Sequence, residues 1–309
     1  MKPRAVVFAY HDVGSRCLRV LSAYGIDICL VVTHDDDPNE NIWFEKVDDV
    51  AKDLNLITTK PTSDQFSSLA EKIKQIAPDF IFSFYYRFIL PNDILQLAKY
   101  GAFNLHGSLL PHYRGRSPVN WAILKGETQT GVSLHEMVAK PDAGDIATQI
   151  SVPILPDDTA YDVFQKIKVA AEQALCLVLP KLVDRSWPRL PNRINEGSYF
   201  GGRKPADGLI DCRQPAQTIY NLIRAVAPPF PGAFLSHKLY PHLPIIAAKA
   251  RLYHLPIPVE HHEPGLHMIN QKFVIVGSDQ RGVIIHQFQD SKQRVLERSE
   301  ILPYLVTSN

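Results

Sequence analysis

Ala102-Phe103-Asn104-Leu105-His106-Gly107-Ser108-Leu109-Leu110-Pro111-His112-Tyr113-Arg114-Gly115-Arg116-Ser117-Pro118 is the stretch on which the reading of this chain turns. Residues 102–106 form an apolar run that reads as a buried strand, followed at once by Gly107. In extended backbone, residues two apart face the same side, so Asn104 and His106 share a face. An amide there can donate to a developing oxyanion, and an imidazole can move a proton. A carboxylate, Asp142, follows in the segment Lys140-Pro141-Asp142-Ala143-Gly144-Asp145. These three groups suffice for acyl transfer without a covalent enzyme intermediate. The plain alternatives are a strand-end hydrogen-bonding pair for Asn104 and His106 and a turn residue for Asp142.

Working outward, three more apolar runs read as strands: Ala5 to Tyr10, Ile28 to Val32 and Phe80 to Phe84. Helical stretches are expected between them, over Ser15 to Tyr24, Val47 to Leu54 and Ser67 to Ile76. Strands alternating with helices imply a parallel sheet covered on both faces, with ligands beyond the carboxyl ends of its strands. Asp158 to Leu179 reads as one long helix stopped by Pro180, and Trp187 to Pro205 as a linker. Beyond it come a helix, Pro215 to Val226, and β-like runs at Ile245 to Leu252, Lys272 to Val276 and Gly282 to Phe288. The expected fold class is α/β. A Rossmann-like parallel sheet occupies residues 1–190, a linker 191–205, and a smaller β-rich, OB-like domain 206–309.

Composition narrows the partners. The chain carries 33 Lys and Arg against 32 Asp and Glu, a net charge of +1 that gives no general pull on nucleic acid or anionic membrane. No run approaches the ~18 apolar residues that a membrane span needs. The apolar start is too short for a secretion signal, so the cytoplasm is the expected compartment. Cys17, Cys29, Cys176 and Cys212 lack metal-type spacing and are expected to stay reduced. His261, His262, Glu263 and His267 match no standard metal site, and no metal is expected.

Residues 103–149 resemble the 10-formyltetrahydrofolate-dependent formyltransferases, whose shared pattern is Asn-x-His-x-Ser-Leu-Leu-Pro, then Arg-Gly, then Asp-x-Gly. Here it stands as Asn104, His106, Ser108-Leu109-Leu110-Pro111, Arg114-Gly115 and Asp142-Ala143-Gly144. Ile223 to Val226 and Pro231 to Phe234 extend the likeness. Val7 to Asp12, Phe82 to Arg87, Arg114 to Pro118 and Phe200 to Arg203 look most like those members that form one half of the bifunctional polymyxin-resistance enzymes. Those members formylate UDP-4-amino-4-deoxy-L-arabinose on the route to modified lipid A. Their dehydrogenase half is not among these 309 residues; whether the chain is a separate enzyme or an excised domain is open.

The resemblance implies that residues 1–190 are the catalytic domain and that 10-formyltetrahydrofolate is the co-substrate. It implies catalytic roles for Asn104, His106 and Asp142, the last orienting either the imidazole or a relay water. It places Arg116, the segment Phe88-Ile89-Leu90 and the loop Val138-Ala139-Lys140-Pro141-Asp142 at the folate. Tyr86, Arg203 and Arg224 are candidates for the nucleotide sugar, guanidinium forks being suited to phosphate. A methionyl-tRNA formyltransferase and a silent folate-binding module are the competing readings. The segment 33–40 is acidic where the tRNA enzymes carry a basic loop. From residue 201 onward, 12 Lys and Arg against 8 Asp and Glu are few for a tRNA grip. No nucleic acid or membrane partner is therefore expected, and the oligomeric state is open.

Overall fold

Runs rich in β-branched and aromatic residues form the strands that carry the site. The computed structural model describes residues 2–38, 41–236 and 243–306; Asn39 and Glu40 of the acidic segment lie outside them. Two compact units divide the chain. One comprises Met1–Pro118, Gln129–Pro153 and Phe164–Gly201, and the other Val119–Thr128, Ile154–Val163 and Gly202–Asn309.

The first unit holds β1 (Arg4–Ala9), β2 (Asp27–Val32), β3 (Thr58–Thr59), β4 (Phe80–Phe84), β5 (Ala102–His106), β6 (Arg114–Gly115), β7 (Gln129–Glu136), β8 (Ile146–Pro153) and β9 (Tyr199–Phe200). Seven of them form a sheet in the order β3-β2-β1-β4-β5-β7-β8, and β6 pairs with β9. From β3 to β5 all pairings are parallel, as a chain of strand–helix alternations requires. The sheet is thus parallel-dominated, as expected of a Rossmann-like unit, and β7 and β8 are antiparallel additions at one edge. Neither strand shows a uniform apolar run, because Gln129, Gly131 and Ser133 interrupt β7 and Thr148, Gln149 and Ser151 interrupt β8. The connecting helices are α1 (His11–Ala23), α2 (Val47–Asp53), α3 (Phe66–Ile76) and a single turn, α4 (Asn92–Leu95). Val6, Phe8, Leu30, Val32 and Ile81 pack under Phe66, Leu69 and Ile73 of α3.

Two boundaries differ from expectation for physical reasons. α1 starts at His11, directly after β1, rather than at Ser15. Gly14 lies inside it because a Cβ there would press on Ala9 and Val47 at 3.1 and 3.2 Å. Two helices follow β5 in sequence, α5 (Pro118–Leu124) and α6 (Ala160–Val183), and α6 runs through Pro180. A proline cannot donate to the carbonyl four residues back, here that of Cys176. The Tyr24 hydroxyl donates to that carbonyl instead, at 2.9 Å.

The second unit is built on α7 (Ala216–Val226) and the strands β10 (Ala233–Leu235), β11 (Ile245–Tyr253), β12 (Gly265–Ile269), β13 (Lys272–Val276) and β14 (Gly282–Gln289). They form an antiparallel sheet in the order β10-β11-β14-β13-β12, and α7 packs on β11 and β14. Asp279 caps α7 by accepting the Ala216 N–H at 3.0 Å. β10 and β12 were not legible beforehand. His267, on β12, is buried and bonds the Glu263 carbonyl, while His262 bonds that of Ile257. A short turn, α8 (Arg298–Ile301), follows. Among the described residues no three His, Cys, Asp or Glu side chains gather as a metal would need, and no helix is long and apolar enough to cross a membrane.

Candidate active site

The site grows from the pairing of β5 with β7. Asn104 lies opposite His135 in that antiparallel register, so their side chains meet on one face of the sheet. The Asn104 Nδ2 is 3.2 Å from His135 Nε2, and His135 Nδ1 is 2.9 Å from the Glu136 carbonyl. A carbonyl accepts only, so Nδ1 of His135 carries the proton and Nε2 accepts. That requirement orients the Asn104 amide with its NH2 toward His135, leaving a second N–H to donate elsewhere.

His106 ends β5 and is buried. Its Nε2 donates to the Tyr113 carbonyl at 2.8 Å, which leaves Nδ1 as the nitrogen able to take a proton. Nδ1 faces Asp142 Oδ1 at 3.6 Å, and the same oxygen lies 3.5 Å from His135 Nε2. These are charge contacts, too long for hydrogen bonds. Burial lowers the His106 pKa below its ordinary 6.5, against the opposing pull of Asp142. Burial works against ionisation of Asp142, but His106, His135 and the Gly115 N–H prevail and hold it well below the usual carboxylate range.

Asp142 reaches this position because the β7–β8 loop folds back over the sheet. Asp142 itself is left-handed, with φ 51°. A Cβ on Gly144 would strike the Glu136 carbonyl. Asn192 Nδ2 donates to the carbonyls of Asp142 and Gly144 at 3.0 and 3.2 Å, and the Gly115 N–H donates to Asp142 Oδ2 at 2.9 Å. The 107–115 loop is tied down in turn. Ser108 Oγ donates to the His112 carbonyl, and Ser133 Oγ to that of Ser108, both at 2.6 Å. Left-handed non-glycine residues recur here: His11, Tyr85, Tyr113 and Ser117 besides Asp142. Backbone of this kind gathers at ligand-handling sites.

Gly115 is a place where only glycine fits. Its φ is 95°, and a Cβ would collide with the Phe200 carbonyl across the β6–β9 pair. Gly115→Ala is expected to lower stability by about 1–3 kcal/mol, read from urea denaturation, and to loosen Asp142. An unchanged midpoint would remove this account of the loop.

Residues 5–179 match the formyl transferase family, and residues 203–303 the formyl transferase C-terminal domain. The chain belongs to the formyl transferase family. Several solved structures share its fold. The sugar 3N-formyl transferase WlaRD, in the presence of dTDP and 5-N-formyl-THF, superposes with a TM-score of 0.69 at 20% identity, over 94% of this chain and 98% of that one. The N-formyltransferase from Helicobacter canadensis, in complex with folinic acid and dTDP-3-aminofucose, gives 0.69 at 21% identity over 92% and 99%. HypX from Aquifex aeolicus, in complex with tetrahydrofolic acid, gives 0.65 at 16% identity over 98% of this chain and 47% of that one.

In this formyl transferase the three residues singled out from sequence, Asn104, His106 and Asp142, do come together. Of the segment read as folate-facing, Phe88 and Ile89 are exposed, while Leu90 is buried in the core. Val138, Ala139, Lys140 and Pro141 are exposed along the loop, as is the Arg116 side chain. Tyr86 meets Phe8 edge-on, and burial raises its phenol to about 12. Arg203 lies over the Trp121 ring and donates to the Asp207 carbonyl at 2.8 Å.

Arg224 is 6% exposed, and its NH groups donate to the Asp158 carbonyl and Asn221 Oδ1 at 2.9 and 2.8 Å. It is thus tied to its own unit by these bonds. The acids of the 33–40 segment are also partly offset, Asp35 by Lys60 and Asp36 by Lys46. Sequence reading missed His135 and Asn192. His135 follows Val132 and Leu134 in β7, and its meaning depends on knowing that β7 pairs with β5.

Proposed function

We propose that this formyl transferase moves a formyl group from 10-formyltetrahydrofolate to the amine of a nucleotide-linked amino sugar. The arrangement of Asn104, His106 and His135 around Asp142 carries the reading. As the amine attacks the formyl carbon, the carbonyl oxygen gains negative charge and the Asn104 N–H not used by His135 donates to it. Nδ1 of His106 takes the proton that the new C–N bond makes acidic, and Asp142 stabilises the resulting imidazolium through its charge. The folate nitrogen leaves and is protonated in turn. The backbone of 88–90 and 138–142, with Arg116, forms the folate contact, and Tyr86 part of the pocket wall.

Support for the donor and the acceptor class comes from the structural neighbours, two of which carry formyl-folates with dTDP or a dTDP-amino sugar. UDP-4-amino-4-deoxy-L-arabinose is the acceptor we assign first, on the stretches Val7 to Asp12 and Phe82 to Arg87, and with it a role in lipid A modification and polymyxin resistance.

The test is an acceptor panel read by mass spectrometry with 10-formyltetrahydrofolate as donor. It contains UDP-4-amino-4-deoxy-L-arabinose, TDP-linked 3- and 4-amino-deoxyhexoses, and methionyl-tRNA. One added formyl group on a single nucleotide sugar establishes the acceptor, and formylation of methionyl-tRNA alone overturns the reading. Asn104→Ala is expected to lower kcat by about 10²–10³-fold. Steady-state kinetics with the identified acceptor checks this, and a kcat within about 10-fold of the parent would exclude Asn104 as the oxyanion donor.

A further inference from the structure

A cavity of about 400 Å³ opens within the second unit, lined by α7, β11, β14 and the segment around Asp157. Its size is in the range of small-ligand sites. Three features give it a chemical character. The first is charge: Arg224, Lys249 and Arg251 line it against a single carboxylate, Asp157, which lies 3.6 Å from Arg251 and accepts the Tyr220 hydroxyl at 2.7 Å. Lys249 forms no ion pair among the described residues.

The second is the state of Arg224. Arg224 is 6% exposed, and its guanidinium donates to uncharged acceptors, the carbonyls of Asp158 and Leu155 and the Asn221 amide oxygen. Its Nε has no hydrogen-bond partner among the described residues. A buried cation without a contacting counter-charge is costly, and an anion in the adjoining cavity offsets that cost.

The third is the backbone. The β11–β14 ladder slips twice at this point, leaving Ala248 and His286 without register partners. Both line the cavity. Bulges re-aim side chains and are over-represented at binding sites. The alanines at 227, 248 and 250 leave the volume that larger residues would fill.

We propose that this cavity binds a phosphorylated small molecule, with Lys249 and Arg251 meeting the phosphoryl oxygens and the pinned Arg224 supplying a fixed positive field. Two cations in excess of Asp157 match a dianion or a diphosphate better than a single carboxylate. The inference does not rest on the assigned acceptor.

Isothermal titration calorimetry of the full chain with inorganic pyrophosphate, at constant ionic strength, tests it. The parent is expected to bind, and Lys249→Ala and Arg251→Ala each to weaken binding about 10-fold or more, the size of one charge-assisted contact. His106→Ala is expected to bind pyrophosphate like the parent. Parallel titration with UDP separates the sources. Tighter UDP binding that is equally lost in Lys249→Ala assigns a nucleotide's phosphate chain, and equal affinities assign the bare oxyanion. No binding by the parent at millimolar pyrophosphate, or binding indifferent to both substitutions in variants that melt like the parent, overturns the proposal.

Discussion

His106→Ala lowers kcat by at least about 100-fold, the usual contribution of a positioned general base, while affinity for a formyl-folate stays within a few-fold. The expectation follows from which ring nitrogen is free. Nε2 is committed to the Tyr113 carbonyl, so Nδ1 is the atom that accepts a proton. Burial lowers the imidazole pKa, so the ring is neutral and ready at neutral pH. The substitution also strips the Tyr113 carbonyl of its donor and leaves a cavity, costing about 1–3 kcal/mol of stability. A companion His106→Asn, which can still donate to that carbonyl, separates lost folding from lost proton transfer. Turnover by mass spectrometry and calorimetry with 5-formyltetrahydrofolate are the measurements. Near-normal turnover in both variants would take the base role from His106.

Asp142→Asn is expected to cost a further factor of about 100 or more in kcat, with a distinctive pH signature. The carboxylate raises the His106 pKa against the larger lowering by burial. Without its charge, only the Tyr113 carbonyl still opposes burial and the pKa falls further. The acid limb of the kcat profile, already below pH 6.5 in the parent, therefore moves to still lower pH while the plateau drops. A limb that stays in place or moves up would contradict the electrostatic role. Stability carries the same sign. Both groups have folded pKa values below their unfolded ones, 6.5 for His106 and 3.8 for Asp142. Their contributions are complete above those values and are lost as pH falls through the folded ones. Melting Asp142→Asn from pH 3 to 7 is expected to show a shallower loss below about pH 4 than the parent.

Much of the first unit was legible because its signals are local. Phe80 to Phe84 and Ala102 to His106 are uniform apolar runs, and the strands occupy those same residues. Phe66–Ile76 buries Phe66, Leu69 and Ile73 at helical spacing, and the helix ends at a left-handed Ala77 just before Pro78. Strands interrupted by polar residues or glycine, such as β7 and β12, carry weaker patterns. His135 on β7 and His267 on β12 are buried polar residues partnered by Asn104 of β5 and by the Glu263 carbonyl, so composition alone argues against their burial.

The chain by itself determined that an amide and an imidazole lie two residues apart on one strand face, and that a carboxylate follows within reach of a glycine loop. Strand geometry has a fixed period of two, so that much needs no tertiary information. Only the tertiary structure decided that His135 stands opposite Asn104 and thereby fixes how the amide is oriented. It alone showed that Asn192 and the Gly115 N–H clamp Asp142, that residues 119–128 and 154–163 join the second unit, and that Arg224 is buried and bonded to the Asp158 carbonyl. Register and loop fold-back are set by contacts between residues far apart in the chain. Their energies depend on partners that no local window of sequence contains.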